Sequence, residues 1–113
     1  MEQKQQISID HFHTVDIRIG EILSAEKIEG ADKLLKLSVS LGEELPRQIV
    51  SGIAPYYSDP QILVGKKCAF VANLEPLMIR GYESNGMILA VSGDTFFSLL
   101  ETGIDVTAGV SVK

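Results

Sequence analysis

Apolar and polar residues alternate along several short stretches of this chain, which is the pattern of strands that are buried on one face. The clearest run extends from Leu35 to Leu41, where apolar residues at every second position are separated by lysine and serine. Residues 15–23 alternate in the same way as far as Gly20, where we expect a bulge that curves the strand. Further strands are predicted over residues 47–53, 68–74, 86–92 and 95–100. The pattern therefore predicts a small all-β domain.

Two short helices are predicted outside these strands. Ser58-Asp59-Pro60 is a helix-start signal that leads into residues 61–65, because proline is favoured at the first helical position. Ser8 and Asp10 are both candidate caps for a helical turn over residues 10–15. A helix between the third and fourth strands is typical of the OB-fold, a five-stranded Greek-key barrel that binds oligonucleotides. We therefore predict an OB-fold with a short helix between strands 3 and 4.

The 113 residues fit a single domain, residues 1–113, with one hydrophobic core. No apolar run approaches the roughly 18 residues that a membrane span needs. The polar start lacks the apolar region of a secretory signal, and we expect residues 1–8 to be flexible. Cys68 is the single cysteine and lies in an apolar strand, so we expect a buried, unreactive thiol. A chain without an internal disulfide is typical of a reducing compartment, and the cytoplasm is the expected location.

The charge is distributed unevenly. The net charge of −5 argues against a nucleic-acid partner, since domains that bind nucleic acid usually carry a basic surface. From Lys33 to Arg80, however, six basic residues stand against four acidic ones, whereas the rest of the chain holds four basic and eleven acidic residues. This distribution predicts a local phosphate-binding surface of modest affinity.

The sequence lacks the motifs that would indicate catalysis. It contains no Walker loop, no GxGxxG, no nucleophile elbow and no His-Glu-x-x-His. His11 and His13 are close enough to share one strand face, but no third metal ligand follows in phase and Cys68 is distant. We therefore expect a binding domain without enzymatic activity, metal or cofactor.

The segment VANLEPLMIRGYESNGM combines groups that are suited to binding. It offers an amide, a planar guanidinium, a hydroxyl and a soft thioether, on Asn73, Arg80, Ser84 and Met87 respectively. Looped or single-stranded RNA matches such a mixture, because its unstacked bases expose both faces and edges. An ordinary hairpin with a turn over residues 81–86 is the equally open alternative for this segment.

Further candidates lie outside these four positions. Lys33, in the GADKL turn before the second long strand, can contact phosphate as a flexible point charge, and a solvated turn lysine is the plain alternative. Lys36 belongs to the same basic stretch. Ser51 and Gly52 end a strand where backbone donors can bind phosphate or a base edge, and Asn85 can hydrogen-bond a splayed base.

The chain closely resembles the tRNA-binding domain that occurs at the C-terminus of many methionyl-tRNA synthetases and as a free-standing, structure-specific tRNA-binding protein. The resemblance is carried, in order, by VDIRIGEILSAEKIEGADKLLKLSV, IVSGIAPYYSDPQILVGKKCAFVANLEP and RGYESNGMILA. Together these segments cover most of the chain from Phe12 onward. The resemblance implies an OB-fold with extra C-terminal strands, and a tRNA-binding face that includes Lys33, Asn73, Arg80, Ser84 and Met87.

The resemblance also implies a homodimer that recognises tRNA shape and raises the tRNA affinity of a methionyl-tRNA synthetase. The apolar C-terminal third fits this expectation, with Phe97, Leu99 and Val110 as candidate interface residues. Relatives commonly carry basic residues after Pro76, whereas this chain has Leu77-Met78-Ile79. That departure and the acidic balance favour the alternative, a peptide-binding, chaperone-like dimer or a dimerisation domain of the same superfamily. The SGI and SNGM segments match the tRNA-binding branch better, and tRNA binding is therefore the preferred prediction.

Overall fold

The computed structural model describes residues 2–113, which form mainly short antiparallel strands. Helix α1 (Ile9–Phe12) precedes the strands, and two 3-10 helices, Ala54–Tyr56 and Pro60–Leu63, lie between the third and fourth strands. The strands are β1 (Ile17–Ile28), β2 (Ala31–Ser40), β3 (Arg47–Ser51), β4 (Lys67–Val71), β5 (Leu77–Ile79), β6 (Tyr82–Ser84), β7 (Met87–Ile88), β8 (Ala90–Ser92) and β9 (Phe97–Leu99).

The long strand β1 organises the main sheet, because it pairs with β2 along one edge and with β4 along the other. The complete order is β3-β2-β1-β4-β7, and every neighbouring pair is antiparallel. The outer strand β3 then meets the segment between β6 and β7, where the Asn85 N–H donates to the Gln48 carbonyl oxygen at 2.8 Å. This contact brings the two edges of the sheet together, and the predicted OB-fold is confirmed.

The barrel interior is filled by the apolar faces that the alternating pattern predicts. The largest fully buried side chains are those of Phe70, Ile22, Leu35, Leu37, Leu41, Ile49, Leu63, Val39 and Cys68. Burial raises the pKa of the Cys68 thiol to about 11, with a smaller contribution from the Glu101 carboxylate. The thiol is therefore protonated at neutral pH, as a buried, unreactive cysteine should be.

Gly20 is required by the packing of the core and not, as predicted, by a bulge. It pairs in regular register with β4, so the predicted bulge at Gly20 is wrong. The irregularity in β1 falls instead between Ile22 and Ser24, in the pairing with β2. A Cβ on Gly20 would lie 2.8 Å from side-chain atoms of both Leu41 and Val39, closer than real contacts allow. Glycine is needed here because the core packs directly on the backbone of β1.

Both predicted helices are present as single turns. Pro60 begins the second 3-10 helix, and the Asp59 carboxylate accepts a hydrogen bond from the Gln61 N–H at 3.1 Å. Ser8 rather than Asp10 caps α1, because its hydroxyl oxygen accepts from the His11 N–H at 3.0 Å. Residues 2–7 precede α1 without regular structure, and Met1, where the predicted flexible segment begins, lies outside the described residues. Within residues 2–113, no helix has the length and apolar character needed to cross a membrane.

The C-terminal third adds strands to the barrel, as the resemblance implies. Strands β8 and β9 form a separate antiparallel hairpin. Isolated antiparallel β-bridges then pair Glu101 with Cys68 on β4, and Ser111 with Arg18 on β1. The C-terminal segment therefore runs along the main sheet and covers part of it.

A second hairpin, formed by β5 and β6, packs against the barrel in the segment where the alternative interpretation placed a hairpin turn over residues 81–86. That location is wrong, because Ile79 pairs with Tyr82 and the turn consists of Arg80 and Gly81. Both turn residues have positive φ, 52° for Arg80 and 84° for Gly81. Two such residues form a type I′ turn, whose twist matches that of the flanking strands.

Candidate nucleic-acid interface

The β5–β6 hairpin is held against the barrel by a small apolar cluster that is separate from the main core. Its buried members are Ile28, Ala31 and Val50, and the partly buried side chains of Leu34, Ile79 and Tyr82 pack against them. The cluster joins the hairpin to the β1–β2 turn and to β3, so the position of the Arg80–Gly81 turn is determined by packing.

A depression of about 510 Å³ lies between the hairpin and the β1–β2 turn. It is lined by residues 30–34 from the turn and the start of β2, and by Ile79 and Arg80 from the hairpin. Lys33 lies on β2 rather than in the turn itself, and both Lys33 and Arg80 are exposed. The fold thus brings together two of the predicted RNA contacts that lie far apart in the sequence.

The other basic side chains between Lys33 and Arg80 are already paired with carboxylates. The nitrogen–oxygen distances are 3.5 Å for Lys36–Glu26, 2.8 Å for Arg47–Glu43, 3.3 Å for Lys66–Glu101 and 2.8 Å for Lys67–Asp105. Among residues 2–113, no carboxylate oxygen lies within 4.0 Å of the cationic nitrogens of Lys33 or Arg80. These two cations are therefore available to a phosphate group without breaking an existing ion pair.

Lys36 and Ser51 take more structural positions. The Lys36 ammonium lies 5.0 Å from the centre of the Tyr82 ring, a cation–π contact that supports the hairpin. Together with its ion pair to Glu26, this contact holds Lys36 over β6. Ser51 is half-buried at the end of β3, where it pairs with Leu35.

The Asn73 side chain uses both of its polar groups to hold the N-terminal segment. Its Oδ1 accepts from the Asp16 N–H at 2.8 Å, and its Nδ2 donates to the Thr14 carbonyl oxygen at 2.7 Å. Asn73 thereby connects the end of β4 with the residues that lead into β1. Because the amide has a second N–H and a second lone pair, and Asn73 is exposed, it can still make one further bond of each kind without opening these two.

Ser84 is buried, with 4% of its surface exposed. Its hydroxyl accepts from the Val50 N–H at 3.0 Å and donates to the Gly86 carbonyl oxygen at 3.3 Å. The neighbouring Asn85 is half-buried, and its Nδ2 donates to a Glu83 carboxylate oxygen at 3.3 Å. Both predicted RNA contacts therefore already have protein partners, and Ser84 closes the barrel.

Met87 borders a second depression of about 600 Å³ beside the hairpin. The lining is mainly apolar and consists of Val50, Leu74, Glu75, Pro76, Leu77, Ile79, Ser84, Gly86 and Met87. Met87 is 46% exposed and Leu77 62% exposed, so this apolar surface is open to solvent. Ile79 lines both depressions, which are therefore adjacent.

Arg47 is a positioning residue that the sequence analysis did not single out. Its guanidinium makes two bonds of 2.8 Å to the Glu43 carboxylate. It also donates to the Ala72 carbonyl oxygen and, at 3.4 Å, to the Asn85 carbonyl oxygen. The hydrogen bond from Arg47 lowers the pKa of Glu43, and the positive charges of Arg47 and Arg18 act in the same direction. Arg47 thus fixes the two ends of the segment that carries the hairpin.

The three predicted interface residues have different environments. Leu99 is 4% exposed and belongs to the barrel core, which it covers from β9. The half-buried Phe97 ring stacks on Tyr56 with a centroid distance of 3.9 Å. Val110 is 45% exposed. After β7, the other large apolar side chains that are exposed are those of Val91, Phe96, Leu100, Ile104 and Val112.

Comparison with known sequences identifies the family. The model of the tRNA-binding domain family matches residues 17–111. The methionine–tRNA ligase of Deinococcus radiodurans is 49% identical over 108 residues, which are 95% of this chain and 16% of the ligase. The ligase of Archaeoglobus fulgidus is 48% identical over 112 residues, 99% of this chain and 17% of that enzyme. The chain therefore spans about a sixth of the length of these relatives.

Comparison with solved structures agrees with the sequence comparison. A protein from Pyrococcus horikoshii described as related to methionyl-tRNA synthetase superposes with a TM-score of 0.87 at 35% identity, covering 97% of this chain and 100% of that one. The chaperone CsaA of Bacillus anthracis superposes with a TM-score of 0.85 at 24% identity, covering 96% of this chain and 100% of that one. It shares the fold. The family match supports the prediction of a binding module rather than an enzyme. As its motifs predict, the chain belongs to the family of tRNA-binding domains.

Proposed function

We propose that this chain is a non-catalytic module that binds tRNA by its shape, acts as a homodimer and raises the tRNA affinity of a methionyl-tRNA synthetase. It does so either as the C-terminal domain of the enzyme or as a free-standing protein. The names of its relatives support the connection with the synthetase. The observation that carries the proposal is the unpaired Lys33 and Arg80 lining one depression.

Two free cations on an acidic domain give a weak site. Association of two copies places two such sites on one tRNA and raises the affinity through effective concentration. Asn73 and Ser84 contribute to binding chiefly by holding the surface in place, because the Asn73 amide bonds the N-terminal segment and the buried Ser84 hydroxyl bonds backbone groups. Asn85 donates from Nδ2 to Glu83. The buried, protonated Cys68 is compatible with the reducing cytoplasm, where we place the protein.

The affinity for tRNA should fall with salt. Each phosphate contact releases condensed counterions, so few contacts give a shallow slope of log affinity against log salt, roughly −2 to −4. Gel-shift titrations with several tRNAs across a salt series measure this slope. We expect similar affinities for the different tRNAs. Absence of binding at low salt, or a strong preference for one tRNA, would contradict the proposal.

Arg80→Ala tests the location of the site. Loss of one charge-assisted contact should weaken tRNA binding by roughly 1–3 kcal/mol, to a similar extent for different tRNAs. Lys113→Ala removes one exposed positive charge at the far end of the chain and should leave the affinity unchanged. Equal affinities for wild type and Arg80→Ala, with folding confirmed by circular dichroism, would move the binding face elsewhere.

The alternative function, peptide binding, is favoured by one observation. Leu74, Leu77 and Met78 are 49%, 62% and 62% exposed, where a phosphate-binding surface would profit from basic residues. A peptide-binding dimer would retain apolar peptides at high salt, because burial of apolar surface is little affected by screening. Salt-resistant peptide binding without tRNA binding would therefore put this alternative first.

A further inference from the structure

Two depressions border the β5–β6 hairpin, and they differ in charge. Both have mainly apolar linings, but the one beside Lys33 and Arg80 also carries these two free cations and one carboxylate, Asp32. Ile79 lines both, so the two depressions are adjacent and one ligand can contact both surfaces. An RNA nucleotide has the same division into a charged phosphate and an apolar base face.

We propose that one unpaired nucleotide of the bound RNA spans these two adjacent depressions. Its phosphate lies between Lys33 and Arg80, and its base rests on Leu77 and Met87. The inference rests on the proposed tRNA binding and specifies its ligand, because a base within a duplex is stacked and paired and does not present a free face. Recognition at this site therefore requires a loop, a bulge or a single-stranded end.

Glu75 gives the base site a preference. It contributes the only ionisable side chain among the residues that line the apolar depression within the described part of the chain. A carboxylate accepts hydrogen bonds and donates none, so it pairs with the exocyclic amino group of cytosine and repels the carbonyl oxygen that uracil has at that position. The site thus prefers a base that carries an amino group.

Short RNAs separate this inference from tRNA binding in general. Fluorescence anisotropy with labelled oligocytidine and oligouridine of eight nucleotides, at low salt and neutral pH, compares two pyrimidines that differ at this group. We expect the 113-residue protein to bind oligocytidine roughly tenfold more tightly. Glu75→Gln should reduce the difference, because an amide donates as well as accepts.

Leu77 and Met78 provide a matched pair of variants for the base site. Both lie on β5 and are 62% exposed, but Leu77 lines the apolar depression and Met78 lines neither depression. Leu77→Ser should weaken the binding of both oligonucleotides several-fold, because the base loses part of the apolar surface on which it rests. Met78→Ser should bind like wild type, and both variants should keep the wild-type melting temperature.

The possible failures are distinguishable. Equal affinities for the two oligonucleotides, or equal effects of Leu77→Ser and Met78→Ser, would overturn the nucleotide site even if tRNA binding still depends on Arg80. A wild-type protein that does not bind tRNA at low salt would overturn the proposed function as well. The third outcome is that the protein binds an apolar peptide, that Leu77→Ser abolishes this binding, and that saturating tRNA does not displace the peptide. This outcome would show that the apolar depression binds a protein partner and not a base.

Discussion

The Ser84 hydroxyl accepts a hydrogen bond from the Val50 backbone N–H at 3.0 Å, at the place where the two edges of the main sheet meet. A side chain here takes the role that a backbone carbonyl has elsewhere in the sheet. Because Ser84 is also the last residue of β6, the same bond connects barrel closure with the hairpin that carries Arg80. The stability of the barrel and the position of the β5–β6 hairpin therefore both depend on the Ser84 hydroxyl.

Ser84→Ala should lower the free energy of unfolding by about 1–3 kcal/mol, since the buried Val50 N–H loses its partner. Urea denaturation monitored by circular dichroism measures the change. Ser92→Ala, at an exposed position on β8, is the control and should have little effect. Unchanged stability together with a loss of tRNA affinity would show that the hydroxyl contacts RNA.

Acid should weaken the attachment of the segment that carries the hairpin. The Arg47 hydrogen bond lowers the pKa of Glu43, so the folded chain holds this carboxylate ionised at a pH where the unfolded chain protonates it. The stability that the pair contributes is present above the ordinary glutamate value of about 4.5 and is lost as pH falls through the lower, folded pKa.

Glu43→Gln should therefore be less stable than wild type near neutral pH, and the difference should shrink below about pH 4.5. Denaturation curves at several pH values measure both quantities. Glu44→Gln is a suitable control, because Glu44 is exposed and forms no ion pair within residues 2–113. A difference between wild type and Glu43→Gln that is the same at every pH would contradict the linkage.

The chain should be a dimer in solution, and Val110 is the predicted interface residue that can test this. Val110 is 45% exposed, whereas charging the buried Leu99 would disrupt the core. We expect light scattering at micromolar concentration to give twice the chain mass of 12.3 kDa. Val110→Glu should shift the protein towards the monomer, because an interface core disfavours an unpaired charge.

Ile62→Glu is the control for the dimer, since Ile62 is 58% exposed on a 3-10 helix outside the C-terminal third. A monomeric wild type would refute the predicted dimer. A Val110→Glu protein that remains fully dimeric would place the interface on another surface.

The sequence predicted long elements better than short ones. Strand β2 is recognisable because residues 35–41 repeat one alternation, and every apolar position from Leu35 to Leu41 is buried. Strands β5 and β6 have three residues each, too few to show a period, so neither was predicted, and the alternative interpretation placed the hairpin turn over residues 81–86. The Arg-Gly dipeptide between apolar residues was the available signal for a two-residue turn.

Polar side chains were harder to place, because the sequence does not say which atoms they meet. Asn73 and Ser84 have the groups of an RNA-binding residue, but each bonds backbone atoms that lie far away in the sequence. Lys33 and Arg80 were recognised as candidates individually. Only the fold shows that they share a depression and that their basic neighbours are paired.

Arg80 itself shows a conflict between stability and binding. Its φ of 52° makes it the non-glycine residue with positive φ among residues 2–113, and the left-handed region costs most side chains roughly 1–2 kcal/mol. Asparagine tolerates this region and is preferred before glycine in a type I′ turn. The arginine therefore occupies a position where asparagine would make a more stable hairpin.

Arg80→Asn should accordingly raise the free energy of unfolding, by up to about 1 kcal/mol, while it weakens tRNA binding as much as Arg80→Ala does. Arg80→Lys keeps the charge and the backbone strain, so its stability should equal that of wild type. Its affinity should recover only in part, because an ammonium lacks the planar fork that bonds phosphate bidentately. Thermal melts and tRNA titrations on the same preparations give both quantities. An Arg80→Asn protein that is more stable and still binds tRNA like wild type would show that the turn serves the fold alone.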